Sequence, residues 1–298
     1  MKLDKLIINA ALTGMVPQKR DNPHTPIAPA EIIADARRCH AAGASIIHVH
    51  ARDAAGRPDW HKEAYAEIIA GIRAACPGIL ISATTSGRTD NSFACRSDVL
   101  DLTDDVKPDF ASLTLGSLNF PNQASVNEPR MIQALAEKMQ QRGIVPELEL
   151  FELGMADYAR RLIQLGLLQP PFYANVLLGS LGTLAATPDN LVTLVRALPP
   201  GTTWSAAGIG RFQFYVNSMA ITMGGHVRVG LEDNLWFDAA RTEPATNVRL
   251  IERLVKLAQC AGRDIASPAE ARALIGLPAP AEAAAAGRFD VTTPPVRC

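Results

Sequence analysis

The chain has 298 residues, of which 48% are hydrophobic and 20% are charged. This composition allows a large apolar core and excludes a globally disordered protein. Its 29 basic and 30 acidic side chains give a formal net charge of −1, without the basic excess typical of proteins that bind nucleic acid or anionic membrane surfaces. We therefore expect neither a nucleic-acid nor a membrane partner.

The cysteines and the N-terminal segment indicate in which cellular compartment the protein is expected. Five cysteines are scattered along the chain and include no Cys-x-x-Cys pair, which favours a reduced, cytoplasmic protein over a secreted one. The N-terminal apolar run is too short for a signal peptide, and no stretch of eighteen apolar residues predicts a membrane helix. The sequence thus predicts a cytoplasmic location.

Short β-branched runs alternate with segments of helical periodicity along the chain. The predicted strands span residues 5–12, 45–51, 79–85, 110–116, 144–151, 173–179, 203–208 and 227–232. The predicted helices span residues 30–42, 62–75, 129–142, 155–165, 188–197, 212–223 and 247–260. Eight strands in such an alternation are typical of an α/β TIM (β/α)8 barrel, which we predict as a single catalytic domain over residues 1–277. A doubly wound open sheet is the alternative, but no GxGxxG motif follows the first strand. Residues 278–298, rich in Ala and Pro, are predicted to form a C-terminal tail.

Several predicted strands carry polar residues on one face and apolar residues on the other. His48 and His50 share a face of the second strand, and Arg228 and Glu232 share a face of the eighth. The apolar faces suit packing against surrounding helices, so the polar faces should point into the barrel. Buried charges cost several kcal/mol each unless they are paired or bound to a metal. The interior therefore needs a compensating ion or network.

His48, His50 and Glu232 form the three-ligand set of a catalytic zinc site, which leaves the fourth position open. Their positions near the C-terminal ends of strands agree with this interpretation, because barrel enzymes carry their active sites there. The alternative is a pair of hydrogen-bonded core histidines. Mn²⁺ and Co²⁺ are conceivable ions, although two histidines and one glutamate favour zinc.

Two charged residues flank the proposed ligand Glu232. Arg228 could neutralise a substrate carboxylate or orient an acidic base, and the alternative is a structural salt bridge to Glu147 or Glu149. Asp233 lies at the strand end, where its carboxylate could act as a general base. The alternative for Asp233 is a helix or turn cap.

Six segments distributed over nearly the whole chain carry a family resemblance. They are INAALTG, HVHARDAAGRPD, ASLTLGSLNF, VPELELFE, AAGIGR and GGHVRVGLEDN. The chain resembles the β-keto acid cleavage enzyme family, typified by the 3-keto-5-aminohexanoate cleavage enzyme. The resemblance implies a zinc-dependent TIM barrel, usually a homotetramer, that uses acetyl-CoA as cosubstrate to split a 3-oxo acid by a retro-Claisen route. The products would be acetoacetate and a new acyl-CoA.

The resemblance also implies roles for individual residues. His48, His50 and Glu232 would bind zinc, and Asp233 would be the base, supported by Arg228 and Glu149. The substrate pocket would be lined by residues of the TTSG and ASLTLG motifs. These are Thr84, Gly87, Ser112 and Thr114.

One departure from the family concerns the residues after Thr13-Gly14. The family member that acts on an amino-bearing substrate has an acidic residue there, whereas this chain has Met15, Val16 and Pro17. We therefore expect a different or less polar substrate tail. Three rival functions remain open: a zinc hydrolase, a CoA-independent aldolase or lyase on the same barrel, and a non-catalytic binding protein.

Overall fold

Eight parallel strands close into a barrel in a computed structural model that describes residues 3–120 and 122–278. The strands are β1 (Ile8–Ala11), β2 (Ile46–Val49), β3 (Leu80–Ala83), β4 (Phe110–Thr114), β5 (Val145–Leu150), β6 (Tyr173–Leu178), β7 (Thr203–Gly208) and β8 (His226–Val229). Each strand pairs with its neighbours in chain order, and β8 pairs with β1 to close the barrel. The predicted TIM barrel is confirmed.

Nine α-helices accompany the strands in the described residues. They are α1 (Pro29–Ala41), α2 (Lys62–Ala75), α3 (Phe93–Ser97), α4 (Pro129–Arg142), α5 (Leu153–Gln164), α6 (Pro188–Ala197), α7 (Gln213–Met223), α8 (Asn247–Cys260) and α9 (Pro268–Ile275). Proline opens α1, α4, α6 and α9, where its missing N–H would have no helical partner. No helix among these residues is long and apolar enough to cross a membrane.

The structure differs from the predicted elements at several places, and three of them concern helices or the site. The connection between β3 and β4, predicted without a helix, contains α3 and two 3-10 helices, which are too short to show a helical period. The unpredicted α9 begins with a capping box made by Ser267 and Glu270. The eighth strand ends at Val229 because Gly230 packs directly on β1, where an added Cβ would lie 2.0 Å from the Ala11 carbonyl oxygen. Glu232 therefore lies in a turn and not on the strand.

The interior of the barrel changes character from one end to the other. At the N-terminal end it is apolar, with Ile46, Leu80 and Phe110 packed together with Ala271 and Ile275 of α9. Above this layer the inward side chains are polar and buried, as the strand alternation predicts. A polar functional site can therefore lie only at the C-terminal end of the barrel interior. The predicted tail, except Pro278, lies outside the described residues.

Candidate active site

The predicted metal ligands converge at the C-terminal end of the barrel. His48 lies on β2, His50 directly follows it, and Glu232 lies in the turn after β8. The Nε2 atoms of His48 and His50 are 3.2 Å apart, and His50 Nε2 lies 3.3 Å from Glu232 Oε1. His48 Nε2 lies 3.7 Å from Glu232 Oε2, and one ligand atom from each residue falls within 4.8 Å of the others. The three residues predicted as metal ligands are therefore neighbours in the structure.

The donor set fits a divalent cation. Two imidazole nitrogens facing each other at 3.2 Å can share at most one proton, whereas two lone pairs can bind one ion. Burial lowers the pKa of His50 to about 4, so its imidazole is neutral and able to coordinate. Glu232 Oε2 is buried and has no hydrogen-bond partner among the described residues. An ion held by these three groups would satisfy that oxygen.

The turn after β1 fixes the position of Glu232. Gly14 adopts a left-handed conformation, with φ of 66°, and a Cβ on it would lie 2.6 Å from Glu232 Cγ. The buried Arg52 holds this turn by donating from Nε and Nη2 to the Gly14 carbonyl oxygen at 2.9 and 2.6 Å. Its Nη2 also donates to the Pro17 carbonyl oxygen at 3.1 Å. Arg52 is thus a structural part of the HVHARD motif that the sequence analysis did not assign.

A fully buried carboxylate lies beneath His48. Glu147 on β5 accepts hydrogen bonds from Asn9 at 2.6 Å and Asn175 at 2.7 Å, and from Ser82. Its Oε2 lies 3.2 Å from His48 Nδ1. Burial opposes ionisation, but the hydrogen bond and charge of His48, the charge of Arg228 and the hydrogen bond from Ser82 together hold the pKa of Glu147 at about 2. A carboxylate in this place keeps the proton on Nδ1 and leaves Nε2 free as a metal ligand.

Arg228 joins the carboxylates on the other side of the histidines. Its guanidinium donates to Glu232 at 2.8 Å, to Asp233 at 3.1 Å and to Glu149 at 3.2 Å. Thr114 also donates to Glu149, at 2.7 Å. The alternative of a salt bridge between Arg228 and Glu149 is therefore present, but as one part of a network that also holds Asp233.

Burial shifts the carboxyl groups of this network. It raises the pKa of Asp233 and that of Glu149, in each case against the opposing charge of Arg228. A carboxylate with a raised pKa is a stronger base than an ordinary aspartate or glutamate. Asp233 is also 9% exposed and lines the cavity above the histidines. It is therefore placed to exchange a proton with a bound molecule.

A cavity of about 490 Å³ opens above these groups. Of the residues predicted to line a substrate pocket, Thr84 and Thr114 do so. Ser112 instead accepts a hydrogen bond from the Thr85 backbone N–H at 3.1 Å, and Gly87 packs against Arg96. Ser112 and Gly87 are not among the residues that line this cavity.

Comparison with known proteins finds similarity over nearly the whole chain. The family described as beta-keto acid cleavage enzyme matches residues 5–277. A 3-keto-5-aminohexanoate cleavage enzyme of Fusobacterium nucleatum is 38% identical over 276 residues, which cover 92% of this chain and 99% of that protein. A 3-oxoadipate:acetyl-CoA acetyltransferase of Cupriavidus necator is 36% identical over 275 residues, which cover 91% of this chain and 95% of that protein.

Among solved structures, an apo structure of ObcA matches with a TM-score of 0.74 and 22% identity. The match covers 86% of this chain and 66% of the ObcA chain, so this chain spans slightly less than two thirds of that protein. At this level of identity the similarity supports the barrel fold alone.

Proposed function

Since this chain belongs to the β-keto acid cleavage enzyme family, we propose that it transfers the acyl part of a 3-oxo acid to CoA. The reactants are the 3-oxo acid and acetyl-CoA, and the products are acetoacetate and a new acyl-CoA. One observation carries the proposal: three potential metal ligands lie directly beside a carboxylate that a guanidinium holds in place. With an ion bound to the three ligands, this arrangement would combine electrophilic activation of a ketone with a base for the adjacent carbon.

We infer that His48, His50 and Glu232 hold a zinc ion. Bound there, the ion would supply Lewis-acid polarisation, which makes a C–H bond next to a carbonyl group more acidic. Glu147 orients His48 for this role, and Arg228 keeps Glu232 in position through its 2.8 Å contact.

Asp233 is the proposed base. It removes a proton from C2 of the 3-oxo acid, and the carbanion attacks the thioester carbonyl of acetyl-CoA, releasing CoA thiolate. The thiolate then attacks the C3 carbonyl, and the C2–C3 bond breaks to give the acyl-CoA and the carbanion of acetoacetate. Asp233 returns its proton to that carbanion. Arg228 and Glu149 hold Asp233 at the correct angle throughout, because both belong to its hydrogen-bonded network.

A panel of 3-oxo acids tests the reaction type. Zinc-loaded protein should form acetoacetate and acyl-CoA in equal amounts, and only when acetyl-CoA is present. Loss of the 3-oxo acid without any CoA compound would instead indicate a hydrolase if water is consumed, or an aldolase or lyase if it is not. The absence of both bound metal and turnover would indicate a non-catalytic protein.

We also propose that the enzyme is a cytoplasmic homotetramer. The four cysteines in the described residues are free thiols, which supports a reducing compartment. The tetramer follows from the family resemblance, and light scattering on the purified full chain tests it. A monomeric mass would contradict this part of the proposal while leaving the chemistry untouched.

A further inference from the structure

The loop after β3 carries an arginine that neither the sequence analysis nor the proposed mechanism uses. Arg88 lines the same cavity as His50 and Glu232. Its guanidinium carbon lies 3.6 Å from the centroid of the Phe120 ring, which is a cation–π contact. The planar group is thus held against an aromatic face and does not extend freely into solvent.

Arg88 differs from Arg228 in what surrounds its N–H donors. Arg228 makes ion pairs with three carboxylates, at 2.8 to 3.2 Å. Within residues 3–120 and 122–278, Arg88 forms no ion pair with a carboxylate and donates no hydrogen bond. Its contact with Phe120 is made over the face of the aromatic ring. Five donors of a cavity-lining guanidinium therefore remain available to a ligand with planar, paired acceptors, which is the geometry of a carboxylate.

The loop beneath Arg88 is held rigidly. The buried Arg96 donates to the Thr85 carbonyl oxygen at 2.8 Å and to Asn91 Oδ1 at 2.9 Å, so it ties the two ends of the loop together. Phe120 is fixed as well, because its ring packs edge-on against Phe151 with the centroids 6.0 Å apart. A binding group on fixed supports loses little conformational entropy when a ligand arrives.

The position of Arg88 within the barrel selects which carboxylate it would meet. Arg88 follows β3 and Asp233 follows β8, and β1 and β2 lie between these two strands in the closed barrel. Since both residues line the same cavity, a substrate whose C2 carbon meets Asp233 can reach Arg88 with its far end. The loop after β1 brings Met15 and Val16 into the cavity lining, and neither of them offers a charge to a basic tail.

We propose that Arg88, stacked on Phe120, binds a second carboxylate at the far end of the substrate, so that the preferred substrates are 3-oxo dicarboxylic acids. This inference rests on the proposed function, since it assumes that C2 of a 3-oxo acid is placed at Asp233. It refines the expectation of a less polar tail: the cavity lining includes the apolar Met15 and Val16, but it also includes the cationic Arg88.

Two substrates of equal chain length test the inference. The wild-type protein should favour 3-oxoadipate over 3-oxohexanoate, in which a methyl group replaces the distal carboxylate. In Arg88→Gln, the ratio of the two kcat/KM values should fall about 10- to 100-fold through KM for the diacid, as loss of a charged hydrogen bond implies. Arg88→Lys should recover part of the ratio. Arg20→Gln, which removes a solvent-exposed arginine, is the matched control and should leave the ratio unchanged.

Other outcomes would overturn the inference. An unchanged ratio in Arg88→Gln would exclude a tail-binding role, and a raised KM for acetyl-CoA alone would assign Arg88 to the phosphates of CoA. If the wild-type protein forms no acetoacetate from any acid of the 3-oxo acid panel, the proposed function fails, and calorimetry with adipate and hexanoate then decides about Arg88 separately. Adipate should bind the wild-type protein more tightly than Arg88→Gln, and equal binding would contradict the assignment.

Discussion

At the scale of single residues, Asp233 is the group whose removal most directly tests the chemistry. Asp233→Asn keeps the shape of the side chain but cannot take a proton, so kcat should fall about 10²- to 10⁴-fold. Bound metal should remain near the wild-type amount, because the three ligand side chains are unchanged. Steady-state kinetics and elemental analysis of the same preparation measure both quantities. Asp189→Asn, which changes an exposed carboxylate at the start of α6, is the control.

The result for Asp233→Asn distinguishes two roles. Wild-type kcat would show that Asp233 is not the base, and the turn-cap alternative would then gain support. Loss of the metal together with activity would instead assign Asp233 to holding Glu232, because Arg228 contacts both side chains.

Glu147 is expected to act on the metal through His48 and not on the substrate. Glu147→Gln retains an acceptor for Asn9 and Asn175 but replaces the carboxylate next to His48 Nδ1. Loss of such a partner typically weakens metal binding 10- to 100-fold. Competition with a chelating dye should therefore show a weaker zinc affinity, while KM for the 3-oxo acid in zinc-saturated protein changes little. An unchanged affinity would show that Glu147 serves the packing of the barrel alone.

At the scale of secondary-structure elements, the sequence predicted the barrel because strand alternation and helical periodicity are both strong in this chain. It failed where the periodic signal is short, as in α3 with its five residues. The sequence prediction also extended β8 to Glu232, because polar and apolar residues continue to alternate up to that position. In the structure the strand ends before Gly230, where the backbone turns. Glu232 was placed correctly in space through the motif, while its secondary structure was wrong.

The site was predictable only in part for a related reason. His48 and His50 follow from alternation within one strand. The partners of Glu147 come from β1, β3 and β6, and their meeting depends on the register and tilt of the closed barrel. Arg88 depends on a loop conformation set by Arg96, and no local periodicity encodes that contact.

The helix α9 offers a test of element docking by pH. Glu270 of α9 pairs with Lys5 at 2.7 Å, and hydrogen bonds from Lys5 and Ser267 lower the pKa of Glu270 from 4.5 to about 2. A carboxyl group with a lowered pKa stabilises the folded state above its unfolded pKa, and this contribution is lost as the pH falls from 4.5 toward 2.

Glu270→Gln should therefore have a lower Tm than the wild-type protein at neutral pH, and the difference should shrink as the pH falls below about 4.5. The glutamine can still cap the helix, so the comparison isolates the charge. Calorimetric scans across this pH range measure the effect. A Tm difference that stays constant with pH would show that packing, and not ionisation, accounts for it.

At the scale of the whole molecule, the negative charge of the carboxylates inside the barrel exceeds the single positive charge of Arg228, which pairs with them. Four buried or nearly buried carboxylates surround the histidines, and Arg228 is the guanidinium that contacts three of them. The carboxylates are Glu147, Glu149, Glu232 and Asp233. Such clusters are destabilising unless a cation compensates them, so binding of a metal should stabilise the fold and not only enable the reaction.

We therefore expect zinc to raise the Tm of the metal-free protein. An ion at about 100 times its dissociation constant adds roughly 2.7 kcal/mol to the free energy of unfolding, which corresponds to about 5 °C for a domain of this size. His48→Ala removes one ligand and should abolish the shift, whereas His24→Ala changes an exposed histidine and should preserve it. An equal shift in His48→Ala would mean that zinc binds elsewhere, because a site reduced to two ligands cannot retain the wild-type affinity.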